Sequence, residues 1–404
     1  MTDTQNKQVL AIRGLAVFSS VGICVDSWKE ALVRVQAPSE QVPGISAPVF
    51  QLHASAQDAL RDVFVTPRYN CLDRTAHMAL ACSRQTVRAI QDVSDIGLIA
   101  VGSSRGPTMA TEAYYSQMLE SGTKLSPLAS PVTTSGSIAS WIGQDLFRHL
   151  SPESRCQRLA TLSTSMTCTS AFHSLLVSKA FVESGMAQVA LFGGSEAPLT
   201  AFTFAQIDAL RIASKDAGMW PCRPCAERSC QPSGLVLGEA VGMALLQKVA
   251  REDLRDGDLV VLGVGWGQEK IESPTGISKE GFGIESAMRD ALKGAGGDAQ
   301  VDAVILHAPG TALGDTAELA AVRRVFGGIP VRTTKHLTGH TYGASGMVSL
   351  QLAQYLLHLG QWPGVQYPAI DEMLPKNSTR PSQVLINTAG FGGSAVSLLI
   401  ARAS

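Results

Sequence analysis

The feature that most constrains this chain is a regular alternation between short apolar runs and longer patterns with helical spacing. In the first 250 residues the apolar runs indicate buried strands, and helical patterns separate them, notably over residues 171–183. The strand candidates are residues 9–18, 96–102, 158–163, 188–192 and 241–246. Strands that alternate with helices predict an α/β fold whose sheets are mostly parallel and covered by helices.

The second part of the chain repeats this alternation. Its strand candidates are residues 259–265, 303–307, 331–334, 384–388 and 395–401, and its helical patterns cover residues 283–292, 315–326 and 345–359. The charged, turn-rich residues 251–258 separate the two series. A chain of 404 residues is also longer than one ordinary domain. We therefore predict two similar halves, residues 1–250 and 251–404, related by an internal duplication.

Composition and charge exclude several classes of protein. A net charge of −1 leaves no basic field that would attract nucleic acid or an anionic membrane. No apolar stretch is long enough to span a bilayer, and residues 1–8 lack the features of a signal peptide, so the predicted compartment is the cytoplasm. In such a chain the eight cysteines are expected to be free thiols.

Cys168 is the best candidate for a reactive thiol. It follows a predicted strand and a short polar run, and an amphipathic helical pattern that ends near Gly185 begins just after it. A thiol at a helix N-terminus faces unpaired backbone N–H groups, which favour the thiolate, so we expect a lowered pKa and a nucleophilic role. The alternative is a buried, inert cysteine, a common fate of this residue.

Two histidines follow predicted strands in the second half. His307 ends one strand and opens a Gly-rich turn, and His340 lies in the loop after the next strand. Polar side chains at the carboxyl ends of parallel strands often meet at one site, where two imidazoles and a thiol can supply a nucleophile and two proton donors. Taken singly, each is better explained as a histidine in a turn or loop, with one backbone bond in the case of His307.

Read together, these segments resemble the motifs of elongating β-ketoacyl synthases. The matching segments keep the family's order over nearly the whole chain, which makes a chance match unlikely. They are residues 166–170 around Cys168, the Gly-Gly-Ser-Glu segment 193–196, the Gly-Glu pair 238–239, residues 307–318 from His307 to Glu318, residues 335–346 around His340, and the turn 390–393.

The resemblance implies a thiolase-like fold, duplicated in five layers, α/β/α/β/α. It also implies a decarboxylative Claisen condensation without a metal or organic cofactor. By motif, Cys168 takes the acyl group as a thioester. His307 and His340 hold the malonyl thioester carbonyl and stabilise the enolate. The expected partners are an acyl carrier protein, loaded with acyl or malonyl groups, and a second ketosynthase-like chain in a homodimer or a heterodimer.

Further roles follow from the resemblance alone. The backbone N–H groups of Cys168 and Phe391 are expected to form an oxyanion hole, which would stabilise developing negative charge. Lys335 is expected to act as a catalytic group that tunes His340, with Glu318 as a supporting charge, although a structural ion pair is the alternative. Thr311, Phe391 and Leu235 are expected to contact the substrate or its pantetheine arm.

Three departures from the family pattern put the substrate in question rather than the chemistry. Pro309 stands where the family has a threonine, and Ser233 and Leu235 replace parts of an Asp-Gly-Phe segment. These changes suit a polyene or polyketide synthase as well as a fatty-acid enzyme. Two other functions remain open, namely an acyltransferase on the same fold and a non-catalytic partner that shapes the pocket of a paired ketosynthase.

Three cysteines between the predicted strands 188–192 and 241–246 have side chains of a type that binds zinc. Cys222, Cys225 and Cys230 lie close in sequence, but zinc needs a fourth ligand and no well-spaced one is present. We therefore expect no metal and interpret this segment as an irregular loop of free thiols.

Overall fold

The structure is a computed structural model that describes residues 8–403 except 35, 123, 151–156, 228–232, 273–275, 277, 297–298, 361, 363 and 374–379. The described strands are β1 Gln8–Phe18, β2 Val49–Phe50, β3 Ile96–Gly102, β4 Ala160–Thr164, β5 Val189–Glu196, β6 Leu237–Gly238, β7 Ala240–Ala250, β8 Leu259–Gln268, β9 Ala303–Ile305, β10 Val331–Arg332, β11 Gln383–Ala389 and β12 Ser394–Arg402.

The described α-helices are α1 Ser27–Ala31, α2 Ala54–Ala59, α3 Arg61–Phe64, α4 Arg74–Thr86, α5 Thr108–Ser121, α6 Ala129–Thr133, α7 Gly136–Leu146, α8 Ser170–Glu183, α9 Ala201–Ala209, α10 Phe282–Gly294, α11 Ala312–Phe326, α12 Lys335–Thr338 and α13 Ser345–Leu359. Each predicted strand overlaps an observed one, and the four predicted helices are α8, α10, α11 and α13. In the described residues, no helix has both the length and the apolar character that crossing a bilayer requires.

The same strand order appears twice in one ten-stranded sheet. The first part runs β4-β3-β5-β7-β1 and the second runs β10-β9-β11-β12-β8. Counted along the chain within each part, both orders are third, second, fourth, fifth, first. A short antiparallel contact between β1 and β8, from Leu10↔Val261 to Ile12↔Leu259, joins the two parts. This repeated order supports the predicted duplication, while the boundary at residue 250 stays a prediction.

The expectation of mostly parallel sheets was wrong. In the first half β3 pairs in parallel with β4 and β5, and in the second half β9 pairs in parallel with β10 and β11. By contrast, β7 and β12 are antiparallel to both of their neighbours. The reason is visible at β11 and β12, which a tight turn connects without a helix, so that the chain reverses direction beside itself. The result is a mixed sheet.

Helices lie on the outer sides of the strands and between the two halves. Helix α8 contacts β3 and β5 as well as β12, and α13 contacts β11 and β12 as well as β7 and β1. Helix α4 covers β7 on the opposite face, because Met243 and Leu245 pack with it while the alternating Ala244 and Leu246 pack in the core that holds α8 and α13. In the second half α10 covers β8 and β12, and α11 packs on α10. This arrangement matches the predicted five-layered α/β fold.

Helix α10 shows why these sequences form these elements. Its buried residues Ile284, Ala287, Met288 and Ala291 follow helical spacing and therefore form one apolar face. That face lies very close to β8, because a Cβ placed on Gly265 would come within 2.2 Å of the Ala287 carbonyl oxygen. Only a glycine permits this approach, so a side chain there would force the helix away from the strand.

Candidate active site

Cys168 lies in the turn between β4 and α8, as predicted, and its side chain is buried. The hydroxyl of Ser170 accepts from the Met166 N–H at 2.9 Å and donates to the Thr167 carbonyl at 2.6 Å, which closes the turn. Thr167 has a φ of 48°, a conformation that L-residues with a β-carbon adopt at a cost. The turn therefore holds the cysteine in a conformation that the surrounding fold must maintain.

His307 follows β9 in a turn that a buried carboxylate holds. The backbone N–H groups of His307 and Ala308 donate to the two oxygens of Glu318, at 2.9 and 2.7 Å. Glu318 comes from α11, so this helix fixes the position of the histidine. Among the described residues, Nδ1 of His307 has no hydrogen-bond partner, which leaves its tautomer open.

His340 is held by hydrogen bonds to both its backbone and its ring. Its N–H donates to the Val236 carbonyl at 2.7 Å, and its carbonyl accepts from the Gly238 N–H at 3.1 Å, as in a short β-bridge. The backbone N–H of Tyr342 donates to Nδ1 of the ring at 3.1 Å. Since Nδ1 accepts a bond, the proton of the neutral imidazole lies on Nε2.

The three predicted groups converge on one point. The Sγ atom of Cys168 and a ring nitrogen of each histidine lie within 4.8 Å of one another. The Nε2 atoms of His307 and His340 are 3.3 Å apart, and the two rings are nearly perpendicular, at 87°. All three side chains line a cavity of about 890 Å³, a size that suits a small-molecule ligand. A reacting carbonyl in this cavity would meet a thiol and two imidazoles together.

Both imidazoles are neutral in this environment. Burial, followed by the positive charge of Lys335, lowers the pKa of His340 to about 3 and holds the pKa of His307 well below its usual range. A neutral imidazole with its proton on Nε2 can donate a hydrogen bond without the desolvation cost of a buried cation. His340 is therefore suited to donate to a carbonyl oxygen at which negative charge develops, and His307 can do the same when its proton lies on Nε2.

The predicted lowering of the cysteine pKa was wrong in direction. Burial raises the pKa of the Cys168 thiol to about 12, the negative charge of Glu196 adds to the rise, and only partial compensation comes from Lys335. The helix begins at Ser170 as expected, but the loss of water around the sulfur outweighs the groups that favour a thiolate. The resting group is the thiol, and its proton must leave during acyl transfer.

Lys335 is fully buried but does not lie in the wall of the cavity. Its Nζ has no hydrogen-bond partner in the described part of the chain. Burial lowers the pKa of Lys335 to about 8, against the opposing influence of Cys168, Cys222, Glu318 and Asp315. The structure shows no ion pair between Lys335 and Glu318 that meets ordinary distance limits, so Lys335 influences the site through its charge.

The other predicted contact residues lie in the cavity wall. Thr311, Leu235, Phe391 and Glu318 all line it, and so does Pro309. Leu235 packs in an apolar cluster with Phe204 and Ile207, where a larger aromatic ring would occupy more of the cavity. The geometry is compatible with the expected contacts to a substrate, which remain predictions.

The turn at residues 390–393 lies against the cysteine turn. A Cβ on Gly390 would fall 3.2 Å from the backbone nitrogen of Cys168 and 2.0 Å from the Thr167 hydroxyl oxygen. The Thr167 hydroxyl in turn reaches the Phe391 carbonyl at 3.5 Å. The backbones of Cys168 and Phe391 are therefore neighbours, as an oxyanion hole formed by their N–H groups requires.

Sequence reasoning noted the Gly-Gly-Ser-Glu match but missed what Glu196 and Tyr342 do. Glu196 is fully buried at the end of β5 and contacts the loop that carries His340. Tyr342 fixes the tautomer of that histidine through its backbone. A charged residue that directly ends a fully buried strand was the signal that could have identified Glu196, because such a group must be bonded.

Two groups of side chains have donor atoms that could bind a metal. Cys222 and Cys225 are buried free thiols, and the third member of the predicted cluster, Cys230, lies outside the described residues. The group formed by Cys168, His307 and His340 has donor types that zinc binds, but it offers three protein ligands rather than the four of a closed structural site.

Two family models match the chain in sequence. The model for the N-terminal domain of β-ketoacyl synthases matches residues 159–252, and the model for the C-terminal domain matches residues 259–366. Together they cover half of the chain. A curated relative, the 3-oxoacyl-(acyl-carrier-protein) synthase 2 of Staphylococcus aureus strain N315, is 26% identical over 363 residues, which cover 85% of this chain and 84% of the relative.

Solved structures share the fold. The ishigamide ketosynthase/chain length factor superposes with a TM-score of 0.82 at 20% identity, and covers 98% of this chain and 99% of that one. A type II polyketide ketosynthase solved in complex with its acyl carrier protein, AntDE:AntF, gives a TM-score of 0.80 at 16% identity, over 98% of this chain and 100% of that one. With these sequence and fold matches, and with a thiol and two imidazoles at one cavity, the chain belongs to the β-ketoacyl synthase family.

Proposed function

We propose that this enzyme forms a carbon–carbon bond by decarboxylative condensation of an acyl thioester with a malonyl thioester, with Cys168 as the nucleophile. The observation that carries the proposal is the meeting of the Cys168 sulfur with ring nitrogens of His307 and His340 within 4.8 Å at a buried cavity. Two neutral imidazoles and one thiol match the two chemical steps that such a condensation needs.

The first step is acyl transfer. The Cys168 sulfur attacks the carbonyl carbon of an acyl thioester, a new S–C bond forms, and the bond to the carrier thiol breaks. The proton of the Cys168 thiol passes to the departing carrier sulfur. Because burial raises the pKa of this thiol to about 12, proton removal has to accompany the attack, and a neutral ring nitrogen within reach can relay the proton.

The second step joins the two units. The malonyl thioester loses carbon dioxide as its C–C bond breaks, and the electron pair remains as an enolate whose oxygen accepts hydrogen bonds from the two imidazoles. The enolate carbon then attacks the acyl carbon on Cys168, and the S–C bond to the enzyme breaks. The sulfur leaves as a thiolate and takes up one proton from solvent, so the resting thiol is restored. Burial keeps both rings neutral, and each ring donates to the enolate oxygen when its proton lies on Nε2.

The remaining groups act on these steps. The N–H groups of Cys168 and Phe391 would stabilise the oxyanion formed when the enzyme thioester is attacked, which the close contact of their turns supports. The charge of Lys335 would favour the departing thiolate and keep the histidines neutral. Glu318 would hold His307 through its backbone.

We further propose that an acyl carrier protein delivers both substrates, and that a second ketosynthase-like chain completes a homodimer or heterodimer. Two similar proteins support both partners, since one is a 3-oxoacyl-(acyl-carrier-protein) synthase and the other is a ketosynthase/chain length factor. We place the enzyme in the cytoplasm, where six free cysteines among the described residues would stay reduced.

Mass spectrometry of the purified protein tests the function directly. The enzyme is incubated with acyl-loaded carrier protein, and a mass increase on the peptide that contains Cys168 reports the first step. Malonyl-loaded carrier is then added, and released carbon dioxide and the β-ketoacyl product are measured. We expect all three signals. The metal content is measured on the same sample, and a stoichiometric metal that acyl carrier substrates do not displace would contradict the proposal.

Partial results separate the two alternatives. Acylation of Cys168 without release of carbon dioxide would indicate an acyltransferase on this fold. A complete absence of acylation, with a stable complex to a second ketosynthase, would indicate a non-catalytic partner that shapes the pocket. The open cavity beside an intact thiol and two imidazoles favours the condensing enzyme over both.

A further inference from the structure

We propose that Glu196 is a positioning residue that keeps His340 in the tautomer with its proton on Nε2, by fixing the loop that carries both His340 and Tyr342. The inference rests on the proposed function for its consequence, because it assigns His340 as the donor to the enolate oxygen. Its structural part, the link between Glu196 and the His340 tautomer, can be measured without activity.

The Glu196 carboxylate accepts five hydrogen bonds. One oxygen, Oε1, accepts from the Ser103 hydroxyl at 2.9 Å and the Arg105 N–H at 3.1 Å. The other, Oε2, accepts from the Ser104 N–H at 2.7 Å, the Ser104 hydroxyl at 2.8 Å and the Gly343 N–H at 2.9 Å. Three residues after β3 and one residue of a distant loop therefore meet at a single buried group.

The bond from Gly343 is the one that reaches the catalytic loop. Gly343 directly follows Tyr342, whose N–H donates to Nδ1 of His340 at 3.1 Å. Tyr342 has a φ of 43°, so its backbone is strained and needs an outside contact to stay in place. When Glu196 holds the Gly343 N–H, it holds the far end of this strained turn, and the Tyr342 N–H stays aimed at the ring.

The loop that carries Gly343 lies too close to Glu196 and to the residues after β3 for any side chain at position 343. A Cβ added to Gly343 would lie 2.7 Å from Oε2 of Glu196 and 2.8 Å from the Ser104 nitrogen. On the other side, a Cβ on Gly194 would lie 2.8 Å from the Gly343 carbonyl oxygen. The loop is thus fitted against the end of β5, which is the contact that a positioning role requires.

All five partners of Glu196 are donors, so the ionised form alone can accept every bond. Burial raises the pKa of Glu196, and the bonds from Ser104, Gly343 and Ser103 oppose that rise. A fully buried carboxylate with five donors is strongly held, and five well-placed bonds offset the desolvation of its charge. The group can therefore serve as a rigid anchor between strand and loop.

The test compares the full-length Glu196→Gln and Gly343→Ala variants with the unmodified protein. The ring nitrogens of ¹⁵N-histidine-labelled protein report the tautomer of His340, with the signal assigned by its loss in His340→Gln. We expect the unmodified protein to show a protonated Nε2, and both variants to show a mixture of tautomers. Release of carbon dioxide from malonyl-loaded carrier should fall by about 100-fold, as a small misplacement of a reacting group can cause. Acylation of Cys168 should not fall by more than about fivefold, because the thiol has its own turn and because Glu196→Gln also removes a charge that raises the pKa of the thiol.

Asp145→Asn is the matched control. Asp145 is another buried carboxylate that accepts bonds from Tyr69, Arg84 and Arg148, but it lies outside the cavity wall. This variant should lower the melting temperature in the way Glu196→Gln does, and leave the His340 tautomer unchanged. Should Glu196→Gln fail to fold, Ser104→Ala removes one hydroxyl donor from the same anchor and should produce a smaller tautomer mixture.

Unchanged tautomer signals in folded Glu196→Gln and Gly343→Ala would overturn the inference. An equal loss of acylation and decarboxylation, tracking melting temperature as in Asp145→Asn, would also overturn it, since it would show a purely structural role. If the unmodified protein releases no carbon dioxide, the proposed function fails, but the tautomer comparison still decides whether Glu196 positions His340.

Discussion

The two halves of the molecule use equivalent positions for different chemistry. Within the ten-stranded sheet, the third strand of the first half is β4 and leads to Cys168, and the third strand of the second half is β10 and leads to His340. The second strands are β3, followed by Ser103 and Ser104, and β9, followed by His307. Equivalent turns thus carry a nucleophile on one side and hydrogen-bond donors on the other.

Each half also has a buried carboxylate, and the two differ in whether their hydrogen-bond donors come from one half or from both. Glu318 accepts the two backbone N–H groups after β9 and belongs to the same half. Glu196 accepts two backbone N–H groups after β3, but it also reaches Gly343 in the second half. The first half thus supplies the thiol and an anchor, and the second supplies both imidazoles. Release of carbon dioxide should therefore depend mainly on the second half, whereas acyl transfer needs the thiol of the first half and one ring nitrogen of the second.

The largest expected effect comes from removal of the nucleophile. Cys168→Ala should abolish the acyl-enzyme and lower condensation by about 10⁴-fold or more, because no other group can carry the acyl unit. Measurable release of carbon dioxide should persist, since both imidazoles remain. Intact-mass measurement checks the acyl-enzyme, and Cys24→Ala, at an exposed thiol, is the control. Acylation at another cysteine in Cys168→Ala would show that Cys168 is not the required nucleophile.

Loss of either imidazole should affect the other step. His307→Ala and His340→Ala should each lower release of carbon dioxide by roughly 10²- to 10⁴-fold, the range typical of a lost proton donor. Acylation of Cys168 should stay within about tenfold of the unmodified rate in each single variant, because the remaining imidazole can still relay the thiol proton. His358→Ala, on a partly exposed helix face, is the matched control. If acylation fell as far as decarboxylation, the division between the halves would be wrong.

A smaller effect concerns the charge of Lys335, which acts on Cys168 of the first half and on the two histidines of the second. Burial lowers the pKa of Lys335 from 10.5 to about 8, so between these values the unfolded chain binds a proton that the folded chain has released. The free energy of unfolding should therefore rise with pH through that window, and Lys335→Met should flatten the rise. At pH 7 this variant should be more stable by about 3 kcal/mol.

Chemical denaturation at pH 7, 8 and 10 measures this effect. Lys248→Met, at an exposed position, is the control and should follow the unmodified profile. An unchanged slope in Lys335→Met would mean that folding does not lower the pKa of Lys335, so that the lysine is solvated in the folded protein and water screens its charge. It would then be unable to act on the sulfur and the two rings through its charge.

The smallest expected effect tests the cavity wall. Thr311 is the N-cap residue before α11 but makes no side-chain cap bond, so its hydroxyl is available to a bound substrate. Thr311→Val should raise the KM for carrier-bound substrates by roughly fivefold, which corresponds to one lost hydrogen bond of about 1 kcal/mol, and leave kcat unchanged. Steady-state kinetics check this, and an unchanged KM would remove Thr311 from the substrate contacts.

Much of this protein follows from local sequence. The apolar runs and helical spacing predicted β3 and α13 at their observed bounds, because strand and helix periodicity depend on neighbouring residues. The turns that carry Cys168, His307 and His340 were predicted from their order along the chain and from the family motifs. The family and its reaction also follow from these segments.

Tertiary structure decided the rest. The pKa of Cys168 rises because distant parts of the chain remove water from around the sulfur, and no local pattern reports that loss. The antiparallel strands β7 and β12 depend on which neighbours they pair with, not on their own residues. The bond between Glu196 and Gly343 joins groups 147 residues apart, so only the folded chain brings them together. Sequence specifies which side chains are available, whereas burial and long-range contacts set their charge, tautomer and orientation.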